Sequence, residues 1–181
     1  IFAGLLGAML IGGKAFCANK TDSYKKEAIE WVRLNEDMLD KLSLAVWEYA
    51  EPAFTEYKSS KVLADKLAED GFTVTRGLAD MPTAFVATYG SGQPVIGFLV
   101  EYDALPGLSQ EAGVTAKKSV TAGAAGHGCG HNLLGTAQVG AAMAIKSAME
   151  KHKMQGTIKV FGCPAEEILG GKVWMAKAGV F

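Results

Sequence analysis

Seven consecutive residues, Gly126-His127-Gly128-Cys129-Gly130-His131-Asn132, place two imidazoles and a thiol at the mouth of a helical pattern. Thiolate and imidazole together suit Zn²⁺ or a similar divalent ion. The interleaved glycines let the backbone fold tightly enough for Cys129 and His131 to converge, and a helix N-terminus favours a thiolate. The same residues also suit a Gly-rich turn with a buried structural cysteine and one capping histidine. His127 either adds a ligand or is a plain loop residue.

Glu166 and Glu167 are adjacent and follow the apolar run Thr157–Phe161 through Gly162, Cys163, Pro164 and Ala165. Adjacent residues at a strand end point in different directions, so one carboxylate can bind metal while the other meets substrate and water. Metal-assisted hydrolysis needs that division, because a carboxylate must take a proton from water and deliver one to the leaving amine. Most Glu pairs are only solvated surface charge; the position after a strand argues for more. Asp103, in Glu101-Tyr102-Asp103-Ala104-Leu105-Pro106, follows another apolar run. It can orient a ligating imidazole, or simply cap the turn before Pro106. Glu101 and Tyr102 are candidates to line the site rather than to ligate. Cys163 reads as a small core residue and His152 as a solvent-facing charge near a helix C-terminus.

These residues need a scaffold that gathers strand ends. Apolar residues at helical spacing from Ser23 to Ala50 predict one long amphipathic helix, broken by Glu51-Pro52-Ala53. A second helix is predicted over 59–69, with Gly71 stopping it, and a short strand over 72–75. Thr83–Tyr89 and Pro94–Val100, joined by Gly90-Ser91-Gly92-Gln93, predict a hairpin. The run Val95-Ile96-Gly97-Phe98-Leu99-Val100 does not alternate, which predicts a strand buried on both faces. A crossover helix from His131 to Lys153 and a strand over 157–161 complete a parallel strand–helix–strand unit. A short helical pattern, Lys172–Ala178, follows. In open α/β sheets sites form beyond the carboxyl ends of strands, where both acidic clusters fall.

The composition suits a globular α/β domain: 181 residues, 49% apolar and 20% charged. Eighteen Lys and Arg against 19 Asp and Glu leave a net charge of −1, which argues against nucleic acid as a partner. Three scattered cysteines, Cys17, Cys129 and Cys163, make no disulfide framework. Ile1 to Gly13 carries no charge and reads as the apolar stretch of a leader spanning residues 1–20, with residues 21–181 as the domain. It falls short of the ~20 residues a transmembrane helix needs, so no stable membrane anchor is expected. A leader implies export to the periplasm; a buried N-terminal helix in its place implies a cytoplasmic protein.

Taken together, LVEYDALPGL, AGHGCGHNLLGTA and FGCPAEE resemble the M20 metallopeptidase and amidohydrolase family, most closely its aminobenzoyl-glutamate hydrolase branch, over residues 47–181. The resemblance implies the N-terminal part of an M20-type, zinc-peptidase-like catalytic domain: an α/β fold with a mixed sheet and flanking helices. It implies hydrolysis of the amide of an N-acyl amino acid or small peptide, p-aminobenzoyl-glutamate-like, at two divalent ions, Zn²⁺ or Mn²⁺. Carried over by position, Cys129, His131 and Glu167 become metal ligands, Glu166 the general base and acid, and Asp103 the orienting carboxylate. Asn132 stands where many relatives carry Asp, a change that the aminobenzoyl-glutamate branch shares. The family's further histidine ligands lie downstream of these motifs. The 181 residues are therefore expected to be the first part of a catalytic domain, inactive alone, whose full-length parent is oligomeric and acts on a small-molecule amide. The alternative is a non-catalytic metal-binding or interaction domain that retains the fold.

Overall fold

Among the described residues, most of the polypeptide N-terminal to the sheet is helical, and the break between its first two helices is made by a single side chain. In the computed structural model, which describes residues 12–181 and side chains from residue 21 onward, α1 (Gly12–Leu34) and α2 (Glu36–Tyr49) meet at Asn35. Residues 1–11 of the predicted leader, 1–20, lie outside the described residues, and 12–20 belong to α1. One continuous helix was the expectation; two are found. The Asn35 amide donates to Trp31 O at 2.8 Å, competing with the helical ladder, and its backbone (φ −113°, ψ 14°) leaves helical geometry. Asparagine offers the backbone this local alternative more readily than most residues.

Ala50, in the left-handed region, ends α2, and the turn 51–56 leads into α3 (Tyr57–Glu69). Glu51 supplies the cap for α3, its carboxylate accepting from Lys58 N at 3.0 Å and Ser59 N at 2.9 Å. That satisfies amide groups which a helix start otherwise leaves without partners. Gly71 then turns the chain into β1 (Thr73–Arg76).

The sheet has four strands in the order β1-β2-β4-β3, with β2 spanning Phe85–Ser91, β3 Val95–Val100 and β4 Gly156–Gly162. The predicted hairpin is absent, because β4 lies between β2 and β3. It pairs antiparallel with β2 and parallel with β3, as the strand–helix–strand reading required. The linker between β2 and β3 passes over the start of β4, where Thr157 N donates to Pro94 O at 2.8 Å and Thr157 Oγ1 to Gly92 O at 2.8 Å. Turn chemistry predicts a reversal of direction; it does not say whether another strand occupies the gap.

The second correction concerns β3. Val95, Ile96 and Leu99 are 47%, 46% and 41% exposed, so the strand is not buried on both faces. It is an edge strand of the described sheet, as β1 is on the other side, and only Phe98 and Val100 turn into the main core. That core lies between the sheet and the helices α2, α3 and α4 (His131–His152), around Leu63, Leu67, Val100, Tyr102, Val139, Ile158 and Val160. Full burial of each such aliphatic side chain is worth about 1.5–3 kcal/mol. A smaller cluster on the opposite face joins Met81, Ala84, Phe161, Cys163 and Met175, the last from α5 (Gly171–Lys177).

α4 can reach the end of β3 because Gly135 has no side chain. A Cβ there would stand 2.4 Å from Glu101 O, well inside contact distance. His152, expected to face solvent, instead packs its ring 4.4 Å from that of Tyr24, in line with the packing of α1 along α4.

Candidate metal centre

Three loops leave the carboxyl end of the sheet or enter α4 there, and each brings part of one acidic cluster. The first follows β3. Tyr102 is fully buried, donating its hydroxyl to Thr83 O at 2.6 Å and stacking on Phe85, and this anchor fixes its neighbours Glu101 and Asp103. Asp103 is itself 1% exposed. Its Oδ1 and its backbone carbonyl both lie 3.0 Å from His131 Nδ1, and its Oδ2 accepts from Glu167 N at 2.9 Å. Carboxylate and carbonyl oxygens only accept here, so Nδ1 carries the proton and Nε2 is the nitrogen left for other work.

The second loop holds Cys129 and places His131 as the first residue of α4. Gly130, at φ +91°, makes the left-handed step that brings the chain into the helix. The His131 ring is buried, which alone would lower its pKa. The contact with Asp103 and the charge of Glu101 outweigh burial and push it up to about 9. Asp103 shows the converse: burial would raise it, but the hydrogen bonds from His131 and Glu167 N leave it below its ordinary value.

The third loop is the 3₁₀ turn Glu166–Ile168, flanked by the left-handed residues Ala165 and Leu169. Glu166 Oε2 lies 3.6 Å and Glu101 Oε2 3.3 Å from His131 Nε2, while Glu167 Oε1 lies 3.8 Å from Nδ1. Lys172, from α5, forms an ion pair with Glu101 through its other oxygen.

The expected residues thus stand together. Ligand atoms of Cys129, His131 and Glu167 all lie within 4.8 Å of one another, and so do those of Glu101, His131 and Glu166. Two features suit this cluster to a cation. Glu167 Oε1 is buried without a hydrogen-bond partner, and such an acceptor is costly unless something fills its place. The Cys129 thiol is pushed up by desolvation and by the carboxylates of Glu167, Glu166 and Glu101, so the expected helix-terminus preference for thiolate is overridden. A divalent ion inverts that balance by supplying the missing positive charge. His131 belongs to both groups, yet with Nδ1 held by Asp103 it has one nitrogen to give to one ion.

His127 joins neither group. Its Nε2 donates to Val46 O at 3.0 Å, pinning the glycine-rich loop to α2, and burial lowers its pKa so that the ring is neutral. Cys163 is a fully buried core residue whose thiol burial pushes up to about 12. Glu101 was expected only to line the site, yet it faces the imidazole more closely than Glu166 does. The signal for it was its position after a strand; nothing in the sequence pointed to its partner Lys172.

Residues 97–181 match the family model Peptidase family M20/M25/M40. The chain is 51% identical over 136 residues to a p-aminobenzoyl-glutamate hydrolase subunit of Escherichia coli K12, an alignment covering 75% of this chain and 28% of that protein. Among solved structures it resembles a dinuclear metal-binding peptidase of the M20 family from Bacillus subtilis, with a TM-score of 0.62 and 22% identity over 81% of this chain and 40% of that one. It also resembles an aminobenzoyl-glutamate utilization protein from Klebsiella pneumoniae, with a TM-score of 0.58 and 19% identity over 85% of this chain and 43% of that one. The chain therefore spans between about a quarter and two-fifths of the length of these relatives, and the two structural likenesses concern the fold alone. With the mixed sheet, the three loops and the identity to the Escherichia coli protein in agreement, the chain belongs to the M20 peptidase family.

Proposed function

We propose that the protein hydrolyses the amide bond of an N-acyl amino acid or small peptide, with p-aminobenzoyl-glutamate as the first candidate substrate. The observation that carries this reading is a second carboxylate, Glu166, 3.6 Å from Nε2 of the same imidazole that Cys129 and Glu167 approach. The 51% identity to the Escherichia coli hydrolase supports the substrate class. Cys129, His131 and Glu167 would hold a divalent ion, and a complete site would hold two. Thiol and imidazole favour Zn²⁺, whereas the wealth of carboxylates suits Mn²⁺.

Bound there, such an ion would polarise the amide carbonyl and acidify water, the chemistry that hydrolysis requires. Asp103 holds the Nδ1 proton of His131, so Nε2, which its pKa of about 9 keeps protonated near neutral pH, is the nitrogen that must give up its proton to take a cation. Glu166 takes the proton of the attacking water and returns it to the departing amine nitrogen. Glu101, held by Lys172, adds negative charge beside His131. Export through the apolar leader belongs to the same proposal, as does an oligomeric parent. No described helix is long and apolar enough to cross a membrane.

The test is turnover of p-aminobenzoyl-glutamate and several N-acyl amino acids by the full-length protein loaded with Zn²⁺ or Mn²⁺, against Glu166→Gln. Metal-dependent hydrolysis that falls by at least ~10²-fold in the variant, with metal content retained, is the expected result. Tight metal binding without turnover on any of these amides would identify a non-catalytic domain. Loss of metal along with activity would exchange the parts of Glu166 and Glu167.

A further inference from the structure

We propose that Glu56, in the turn between α2 and α3, is the positioning residue for the Glu166–Glu167 pair: its buried carboxylate clasps the Ala165 N–H and sets the left-handed turn that aims both side chains at His131. The inference rests on the hydrolase reading for its kinetic consequence, while its geometric basis is independent of it.

Glu56 is 0% exposed, an unusual place for a carboxylate. It occupies the residue before α3, where a side chain would ordinarily cap the helix, yet Glu51 already performs that service. The Glu56 side chain is directed elsewhere. Its Oε1 accepts from Phe54 N at 2.9 Å and from Ala165 N at 2.9 Å, 109 residues away. Both donors belong to non-glycine residues in the left-handed region, Phe54 at φ +63° and Ala165 at φ +56°. Residues other than glycine hold that conformation only when their surroundings impose it. One carboxylate oxygen therefore imposes it twice, and the second time directly before Glu166.

The same stretch of chain touches the other two loops of the site. Glu51 O accepts from Ala104 N at 2.9 Å, one residue after Asp103, and Val46 O accepts from His127, two residues before Cys129. The end of α2 and its turn thus form a rigid backing for all three loops, and Glu56 is the member of that backing which faces the catalytic pair. Glu56 lies outside the metal-ligand groups and has no direct contact with the reacting atoms, so its influence is exerted through Ala165.

The experiment compares Glu56→Gln, Glu56→Asp and Glu56→Met in the full-length, metal-loaded protein, with Glu166→Gln as the control for the hydrolase reading. Gln keeps an acceptor oxygen at the same reach; Asp keeps the charge and withdraws it by one methylene; Met removes the acceptor. Positioning predicts that Gln retains kcat within about threefold, whereas Asp and Met lose at least ~10-fold in kcat, with KM and metal content within about twofold of wild type. Amide exchange at Ala165 should quicken in Asp and Met and stay slow in Gln. If Met fails to fold, the order of Gln above Asp decides. Asp and Met at wild-type kcat, Gln as impaired as Met, or losses that follow metal content would overturn the proposal. Should wild-type protein turn over no amide, the hydrolase reading fails, and amide exchange at Ala165 still judges the clasp.

Discussion

Asp103 makes three hydrogen bonds with two oxygens and one carbonyl, and through them it ties His131 to Glu167 before any ion arrives. Asp103→Asn places an amide where both oxygens must accept, so His131 or Glu167 N loses its partner. Metal affinity should fall by about 10–100-fold, measured by competition with a chromophoric chelator; unchanged affinity would remove Asp103 from the site's support. Cys129→Ser should lower metal stoichiometry, and a full complement of metal in that variant would argue that the thiol is no ligand. At Glu56 the sign of the pH effect is fixed by its environment. Burial raises the carboxyl above its ordinary value, against the opposing Ala165 and Phe54 N–H groups. The folded protein therefore keeps this proton to higher pH than the unfolded chain does, and Glu56 subtracts stability as pH rises through that interval. Glu56→Gln lacks that loss, so its stability relative to wild type should increase as pH rises above the ordinary carboxylate range in urea titrations. A constant difference would show that the buried carboxyl is not raised. The sequence made Cys129, His131, Glu166, Glu167 and Asp103 legible because each sits in a dense motif or directly after a strand. Glu56 and Lys172 were invisible in it: their meaning comes from partners 109 and 71 residues away.

At the scale of elements, the helices and strands followed from periodicity, and the errors arose where a tertiary choice overrode a local signal. The break at Asn35 turns on whether one amide bonds Trp31 O or water. The misread pairing of β2 with β3 arose because two β-rich runs joined by Gly-Ser-Gly look alike whether they touch or flank a third strand. The junction of α4 with β3 is more exacting. Gly135→Ala would push a methyl onto Glu101 O and force the helix away from the strand end that carries both Glu101 and Asp103. Overpacking of this kind costs about 1–3 kcal/mol, which thermal or urea unfolding would register. Metal affinity should fall with it, since His131 begins the same helix. A variant as stable as wild type would mean that the junction is looser than its spacing indicates.

Across the molecule, the site faces one end of the sheet while apolar surface runs along its β3 side. Val95, Ile96 and Leu99 are exposed on a strand whose outer edge is unpaired among the described residues, a combination that invites edge-to-edge association. The 181-residue chain alone should self-associate, and Leu99→Lys should reduce that association in sedimentation while changing stability by less than about 1 kcal/mol. Equal association by the variant would place the sticky surface elsewhere. The position of β4 has a further consequence, in the order of events during folding. Residues 83–100 are synthesised together and are free to meet as an antiparallel pair within microseconds, whereas the strand that belongs between them follows only after α4. Should those two strands pair first, the hairpin is non-native and must open before β4 can enter between them. Ser91→Asn, which creates the Asn-Gly sequence preferred in tight hairpins, should slow refolding in stopped-flow measurements by holding that hairpin shut longer. An unchanged rate would mean that the two strands do not meet first. A slower refolding of that variant would mean that the chain's most local signal acts as a brake on its own assembly, released when β4 takes the middle place.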